Sequence, residues 1–189
     1  MNERPLTGKT IAIMVANGFE ELDFTEPQKR LIAAGATVKT VSRANGLVNG
    51  WYDGAWGHFF PVDGDMADTL AIDFDGLLVP GGMRHVDKLG EDAHGARILK
   101  AFMRAGMPVA LIGDAVAMLA TTELAKGRTV ACSDLAREAL TEAGASIEDA
   151  ASTVEANLVT ASGTSGVEAL LDSFVEVVEG YESEVNEAA

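Results

Sequence analysis

Short apolar runs alternate with segments of helical periodicity along most of this chain, and that alternation constrains the fold more than any other feature. The first run, residues 10–16 (TIAIMVA), is continuous and apolar, as expected of a strand buried on both faces of a parallel sheet. Further strands are predicted at residues 37–42, 75–79, 108–112 and 129–132, and a short strand or hairpin is predicted through residues 157–160. Strands separated by helices imply right-handed crossovers, so the pattern predicts an α/β fold with a doubly wound, mostly parallel sheet.

Helices are predicted between these strands by apolar spacing and by glycines placed to end them. One ends near Ala34 with Gly35 after it, one spans residues 93–105, one begins at Ala115, and one spans residues 135–143 before Gly144. The last helix carries a clean apolar stripe made of Val167, Leu170, Leu171, Phe174, Val175 and Val178. We expect one domain over residues 1–189, with an acidic tail from about residue 180 that is prone to fray.

Composition excludes several classes of partner. The chain has 29 acidic and 14 basic side chains and a formal net charge of -15, which opposes binding to nucleic acids and to anionic membranes. The single cysteine, Cys132, excludes an internal disulfide and suits a reducing compartment. No apolar stretch is long enough for a signal peptide or a membrane span, so we expect a cytoplasmic protein.

Ligand sites in doubly wound sheets lie at the carboxyl ends of the strands. Three loops there are candidates, and they read NGFEELD, PGGMR and GDA. Together with FDGLLVPGG, PVALIG, GRTVACSDLAREAL and NLVTASG, in that order, they resemble the PfpI/ThiJ superfamily over nearly the whole chain. The resemblance implies a flavodoxin-like fold, membership of a group of stress proteins, proteases and glyoxal-handling enzymes, and assembly into a homodimer or a larger homo-oligomer.

The chain departs from that family where the resemblance implies a nucleophile. Members usually read A-I-C-H-G at the sharp turn after the strand, and this alignment places Gly113 at the cysteine and Asp114 at the histidine. Glycine adopts the strained dihedrals of such a turn at no steric cost. Cys132 is predicted in the following strand as a small core residue, and the arginine that members often carry near residues 161–164 is missing.

The carboxylates near the turn have two interpretations. Asp114 either caps the helix that follows it or joins Glu20 or Asp23 in an acidic pocket, where repulsion raises a pKa or favours a cation. In members of the family an acid faces this turn, and the resemblance places that acid on Glu20 or Asp23. In some members a partner subunit contributes an acid after PGG, a place that Asp87 fills only with a shift of one residue.

Other candidate ligand contacts are few. The amides of Gly81 and Gly82 can cradle an anion, although a tight strand-to-helix connection explains the pair equally well. Of the three histidines, His58, His85 and His94, only His85 is expected near the crevice, and no pair has metal-motif spacing. The pattern predicts neither a metal nor a cofactor.

Two further features bear on function. The string A-L-x-G-D-A resembles the turn in the C-terminal domain of large-subunit catalases, which shares the fold, lacks the cysteine and is regarded as stabilising or chaperone-like. An aromatic segment at residues 51–60 (WYDGAWGHFF) either folds back on the body as a hairpin or anchors a subunit interface.

The hypothesis we favour is a PfpI/ThiJ-like, stress-type pseudoenzyme that binds a small molecule or an unfolded protein. The alternatives are an acid–base enzyme that uses Glu20, Asp23 and Asp114, and a thiol hydrolase or glyoxalase with a nucleophile that the sequence does not reveal.

Overall fold

The computed structural model describes residues 3–182, which form twelve strands and six α-helices. The strands are β1 (Thr10–Met14), β2 (Phe19–Glu20), β3 (Thr37–Ser42), β4 (Leu47–Tyr52), β5 (Ala55–Pro61), β6 (Gly64–Asp65), β7 (Gly76–Val79), β8 (Val109–Ile112), β9 (Thr129–Val130), β10 (Ser146–Ile147), β11 (Ser152–Glu155) and β12 (Leu158–Ala161). The helices are α1 (Glu21–Ala33), α2 (Met83–Glu91), α3 (Ala93–Arg104), α4 (Met118–Thr121), α5 (Asp134–Glu142) and α6 (Val167–Gly180).

Seven strands form the central sheet in the order β11-β12-β8-β7-β1-β3-β6. Each neighbouring pair is parallel except β11 and β12, which are antiparallel. The strands β7, β8 and β12 are buried along their whole length, which explains why their sequences are almost entirely apolar, with Thr160 of β12 as the polar exception. This mixed α/β architecture confirms the predicted doubly wound, flavodoxin-like sheet.

The hydrophobic core is divided between the two faces of the sheet. On β1, Ala12 and Met14 contribute to one core cluster together with Phe102 of α3. The alternate residues of β1 contribute to the opposite cluster, with Leu31 of α1 and Phe174 of α6. This two-residue alternation places helices on both faces and leaves the carboxyl ends of the strands for the loops.

Three predictions about local structure were wrong. The segment after PGG was expected to be a loop but forms α2. The helix was not predicted because its buried face contains His85 in place of a third apolar residue, so the apolar spacing was incomplete. The strand predicted at residues 129–132 ends at Val130 and pairs with β10 outside the central sheet. The helix predicted from Ala115 begins as a 3-10 helix, Gly113–Ala117, and is α-helical only in α4.

The aromatic segment forms a hairpin, β4–β5, which is one of the two alternatives that its sequence left open. Its turn residues, Asp53 and Gly54, have φ angles of 48° and 77°, as a two-residue hairpin turn requires. On one face, Val48 is fully buried in the core cluster that contains α1. Of the acidic tail predicted from about residue 180, Gly180 still belongs to α6, and residues 183–189 lie outside the described residues.

A buried carboxylate ties this hairpin to α1. Glu21, which is 5% exposed, accepts a hydrogen bond from the backbone N–H of His58, and its Oε2 lies 3.0 Å from His58 Nδ1. Gly50 and Gly57 make room for this carboxylate, because a Cβ at either position would overlap the Glu21 side chain.

Candidate functional site

The turn after β8, formed by Gly113 and Asp114, is called the elbow. It retains the backbone conformation of a nucleophile turn but has no side chain at its tip. Gly113 has a φ of 58°, in the left-handed region that favours glycine. A Cβ built there would meet Gly163 Cα at 3.4 Å, an ordinary van der Waals distance, so the space for a side chain is present. The position that the resemblance assigns to a nucleophile is therefore a turn bounded by the backbone of the final loop.

Asp114 is held by a serine that the sequence analysis missed. Its Oδ1 accepts a hydrogen bond of 2.5 Å from Ser133 Oγ, and Ser133 N donates to Gly113 O at 3.4 Å. Ser133 also caps α5, because its Oγ accepts from Ala136 N. No side chain caps the 3-10 helix that contains Asp114 within the described part of the chain, so the capping interpretation of Asp114 was wrong.

Asp23 is 2% exposed at the start of α1 and joins the turn after β7 to the final loop. Its Oδ2 accepts from Gly81 N at 3.0 Å, and its Oδ1 accepts from Thr164 Oγ1 at 2.8 Å. Burial raises the pKa of Asp23 to about 6; its two hydrogen bonds oppose the rise, and the neighbouring carboxylates of Glu20 and Asp114 add to it. Asp23 is thus a buried carboxyl group that titrates close to neutral pH.

Glu20 lies beside Asp23 but is only half-buried. Its pKa is raised, first by burial and then by repulsion from Glu21. The sequence left Glu20 and Asp23 as alternatives, and the structure brings both near the elbow while giving Asp23 the direct hydrogen bonds to the neighbouring loops.

The Gly81-Gly82 turn is closely packed. A Cβ at Gly81 would lie 2.7 Å from Asp23 Oδ2, and a Cβ at Gly82, whose φ is 109°, would lie 2.8 Å from Gly18 O. The Gly81 amide predicted to cradle an anion already donates to Asp23. A side chain of the protein itself therefore occupies one donor of the predicted cradle.

His85 fills the crevice between the loops after β1 and β7. It is fully buried on α2, with Nε2 2.6 Å from Pro80 O and with Nδ1 accepting from Ala16 N at 3.2 Å. Burial lowers the pKa of His85 to about 4, so the ring is neutral at pH 7. Both ring nitrogens are engaged in hydrogen bonds that join two loops. A ligand could contact the His85 ring only if these hydrogen bonds were broken.

The remaining predicted candidates are a core thiol and a surface carboxylate. Cys132 is 5% exposed within the core cluster that contains α3, and burial is the main cause that raises the pKa of its thiol. Asp87 lies on the exposed surface of α2. Within residues 3–182, no three His, Cys, Asp or Glu side chains are grouped so that they could hold a metal ion.

A groove opens on the far side of Thr164. It has a volume of about 480 Å³ and lies between α1 and α6, where Lys29, Arg30 and Glu168 line it together with Thr164. The hydroxyl of Thr164 also reaches Asp23, so one residue connects this groove to the buried acid.

None of the helices within residues 3–182 is both long and apolar enough to cross a membrane.

Solved structures share this fold. A ThiJ/PfpI domain protein from Brachyspira murdochii superposes with a TM-score of 0.84 at 23% identity, covering 93% of this chain and 99% of that one. A mutant of a DJ-1 superfamily protein from Salmonella typhimurium gives a TM-score of 0.80 at 24% identity, covering 96% of each chain.

Sequence relatives are closer. YraA of Bacillus subtilis, whose name assigns it provisionally to the cysteine proteases, is 33% identical over 161 residues, which cover 85% of this chain and 93% of that protein. An uncharacterized protein from Staphylococcus saprophyticus is 35% identical over 155 residues, covering 80% of this chain and 87% of its own. The profile of the DJ-1/PfpI family matches residues 9–177. The chain therefore belongs to the DJ-1/PfpI family.

Proposed function

We propose that this protein is a stress-type member of the DJ-1/PfpI family that acts by binding a small molecule or an unfolded protein, without covalent thiol chemistry. The observation that carries the proposal is the geometry at Gly113. The left-handed turn and the space beside it are retained. Gly113 has only a hydrogen atom where a nucleophilic side chain would stand, so no atom is available there to attack a carbonyl. Cys132, buried in the core, does not take its place.

The electrostatics of the site support a neutral or cationic ligand at the elbow. Asp23, Glu20 and Asp114 place three carboxyl groups around the turn, and the Gly81 amide already donates to Asp23. An anion approaching the elbow meets repulsion there, so we expect a neutral or cationic ligand.

A second candidate function, general acid–base catalysis, is favoured by the raised pKa of Asp23. A carboxyl group with a pKa of about 6 exchanges a proton readily near neutral pH, and Asp114 supplies a second carboxyl group nearby. The Ser133 hydroxyl, 2.5 Å from Asp114, is a candidate donor to a substrate oxygen in this scheme. A substrate would have to displace or extend the existing hydrogen bonds of these three groups.

Turnover of methylglyoxal and of a peptide amide, measured before and after thiol alkylation, tests these functions. We expect no turnover by the unmodified protein. Turnover that resists alkylation and is lost in Asp114→Ala, but not in Asp149→Ala at an exposed carboxylate, would establish the acid–base function. Turnover abolished by alkylation would contradict both proposals.

Binding is tested separately. Thermal shifts with neutral, cationic and anionic small molecules, and suppression of the aggregation of a denatured client protein, measure the two proposed ligand classes. A shift or suppression that is weakened by Asp114→Ala supports the elbow as the site. No effect with any of these ligands would contradict the binding proposal.

We also propose a cytoplasmic location and a homodimer or larger homo-oligomer. The single buried thiol supports a reducing compartment. An exposed apolar group on the hairpin supports self-association; it consists of Leu47, Tyr52 and Phe59.

A further inference from the structure

Two tryptophans of the β4–β5 hairpin face two cations of α2. The Arg84 guanidinium carbon lies 3.9 Å from the centre of the Trp51 ring, and Lys88 Nζ lies 5.9 Å from the centre of the Trp56 ring. The two indoles meet edge to face, with ring centres 5.4 Å apart. We call this group, Trp51, Trp56, Arg84 and Lys88, the indole cleft.

The cleft is held in place from beneath by the loop after β1. Gly18 leaves no room for a side chain, because a Cβ there would lie 2.7 Å from Arg84 Cβ. Lys88 Nζ lies 3.4 Å from Asn17 O, to which it donates. The Arg84 stem is therefore fixed by close approach to the main chain while its planar guanidinium group rests on an indole face.

The donors of Arg84 are not used by the described protein. Within residues 3–182, no carboxylate pairs with Arg84 or Lys88, and no group accepts a hydrogen bond from the Arg84 guanidinium group. Asp87 and Glu91 of the same helix are exposed and form no ion pair with either cation. Trp56 is 54% exposed, so an aromatic surface lies open beside two cations that have no ion-pair partner within residues 3–182.

We propose that the indole cleft binds an oxyanion, either a carboxylate or a phosphate monoester, that is carried on a small aromatic molecule. An arginine stacked on an aromatic ring presents a rigid fork of N–H donors that matches both oxyanions. Lys88 adds a second charge one helical turn away, and the open face of Trp56 stacks on the aromatic body of the ligand. On a chain of net charge -15, such a ligand needs local cations, and this cleft supplies them.

The proposal is independent of the elbow. The cleft takes an anion, whereas the elbow repels one, and the variants that test the cleft leave Gly113, Asp23 and Asp114 unchanged. Failure of the proposed function therefore leaves the cleft proposal standing, and the reverse also holds.

NMR of the indole N–H groups tests the proposal, because Trp51 and Trp56 are the only tryptophans of the chain. Phenyl phosphate and benzoate are titrated into the full chain, with inorganic phosphate and phenol as the isolated halves of the ligand. We expect saturable shifts of both indole signals with at least one aromatic oxyanion, and roughly tenfold weaker binding of each isolated half. The stronger of the two aromatic probes identifies which oxyanion the cleft prefers.

Variants of the arginine identify the contact. Arg84→Lys keeps the charge and loses the fork, so we expect binding to weaken by roughly tenfold, and Arg84→Gln should abolish it. Arg104→Gln, at an exposed arginine of α3, is the matched control and should bind normally. The proposal is overturned if neither aromatic probe saturates, if Arg84→Gln binds normally, or if the indole signals change only with protein concentration, which would assign the cleft to a second copy of the chain.

Discussion

At the scale of single residues, the glycine at position 113 decides the chemistry of the elbow. Replacement by cysteine is predicted to be tolerated at a cost of about 1 kcal/mol, because left-handed backbone disfavours a side chain while the nearest atom leaves van der Waals space. We expect Gly113→Cys to gain one thiol that reacts faster than buried Cys132, measured by thiol titration.

The environment of the new thiol also predicts the direction in which its pKa is shifted. Asp23 and Asp114 disfavour a thiolate, so the reaction midpoint should lie above the ordinary cysteine pKa of about 8.5. Gly113→Ala carries the same backbone strain without a thiol and is the control for stability. A midpoint below the ordinary value would mean that the carboxylates do not act on this position.

Asp23 predicts a pH dependence of stability. Its pKa of about 6 in the folded protein exceeds its ordinary value of 3.8, so the folded state retains a proton that the unfolded state releases. The protonation of Asp23 therefore contributes about 3 kcal/mol to the free energy of unfolding. This contribution is fully present below about pH 4 and is lost as the pH rises through 6. Asp23→Asn, which stays neutral and keeps partners for Gly81 and Thr164, should therefore be the more stable protein at pH 7.

Urea unfolding between about pH 4 and pH 7 measures this difference. The advantage of Asp23→Asn should shrink towards zero at the acidic end, and Asp149→Asn at an exposed site should show no such trend. His85 contributes with the opposite sign, because its lowered pKa makes stability fall as the pH drops from about 6.5 towards 4, but it is common to both proteins. A constant difference across the range would contradict the raised pKa of Asp23.

Sequence reasoning located the elbow residues but not their partners. Gly113 and Asp114 follow a continuous apolar strand, which is a local pattern. The bond from Ser133 to Asp114 joins residues 19 positions apart, and its only local signal was that of a helix cap before α5. Glu20 and Asp23 could not be separated, because the choice depends on where α1 begins relative to Gly81 and Thr164.

At the scale of elements, the hairpin is secured by a buried carboxylate between two glycines. Gly57→Ala should destabilise the protein by about 2 kcal/mol, because the new methyl group overlaps Glu21 and forces this tightly packed contact apart. Gly90→Ala, on an exposed part of α2 with no neighbour near the new methyl group, should stabilise by about 0.5–1 kcal/mol. Denaturant unfolding of the two variants measures both effects, and equal shifts would contradict the tight packing at Gly57.

The strands of the sheet were predictable because burial on both faces demands continuous apolar sequence. α2 was not, because burial of its histidine depends on backbone partners in two other loops, Ala16 N and Pro80 O. The short pairing of β9 with β10 was also missed, since two-residue strands leave no periodicity to detect.

At the scale of the whole molecule, the exposed apolar group on the hairpin predicts self-association. Phe59, 64% exposed, should lie in the interface, so Phe59→Glu should reduce the molecular mass measured by light scattering. Ile72, 70% exposed and outside the hairpin, is the matched control, and Ile72→Glu should leave the assembly intact. The proposed interface would be refuted if both variants kept the wild-type mass, or if the unmodified protein were a monomer.

The position of the two tryptophans determines what an optical experiment on this protein observes. Both lie on one hairpin at the side of the molecule, so intrinsic fluorescence reports the release of β4 and β5 from α1 and α2, while far-ultraviolet circular dichroism follows the helices and the central sheet. A melting curve recorded by emission alone would describe this peripheral hairpin and could be mistaken for the unfolding of the entire domain.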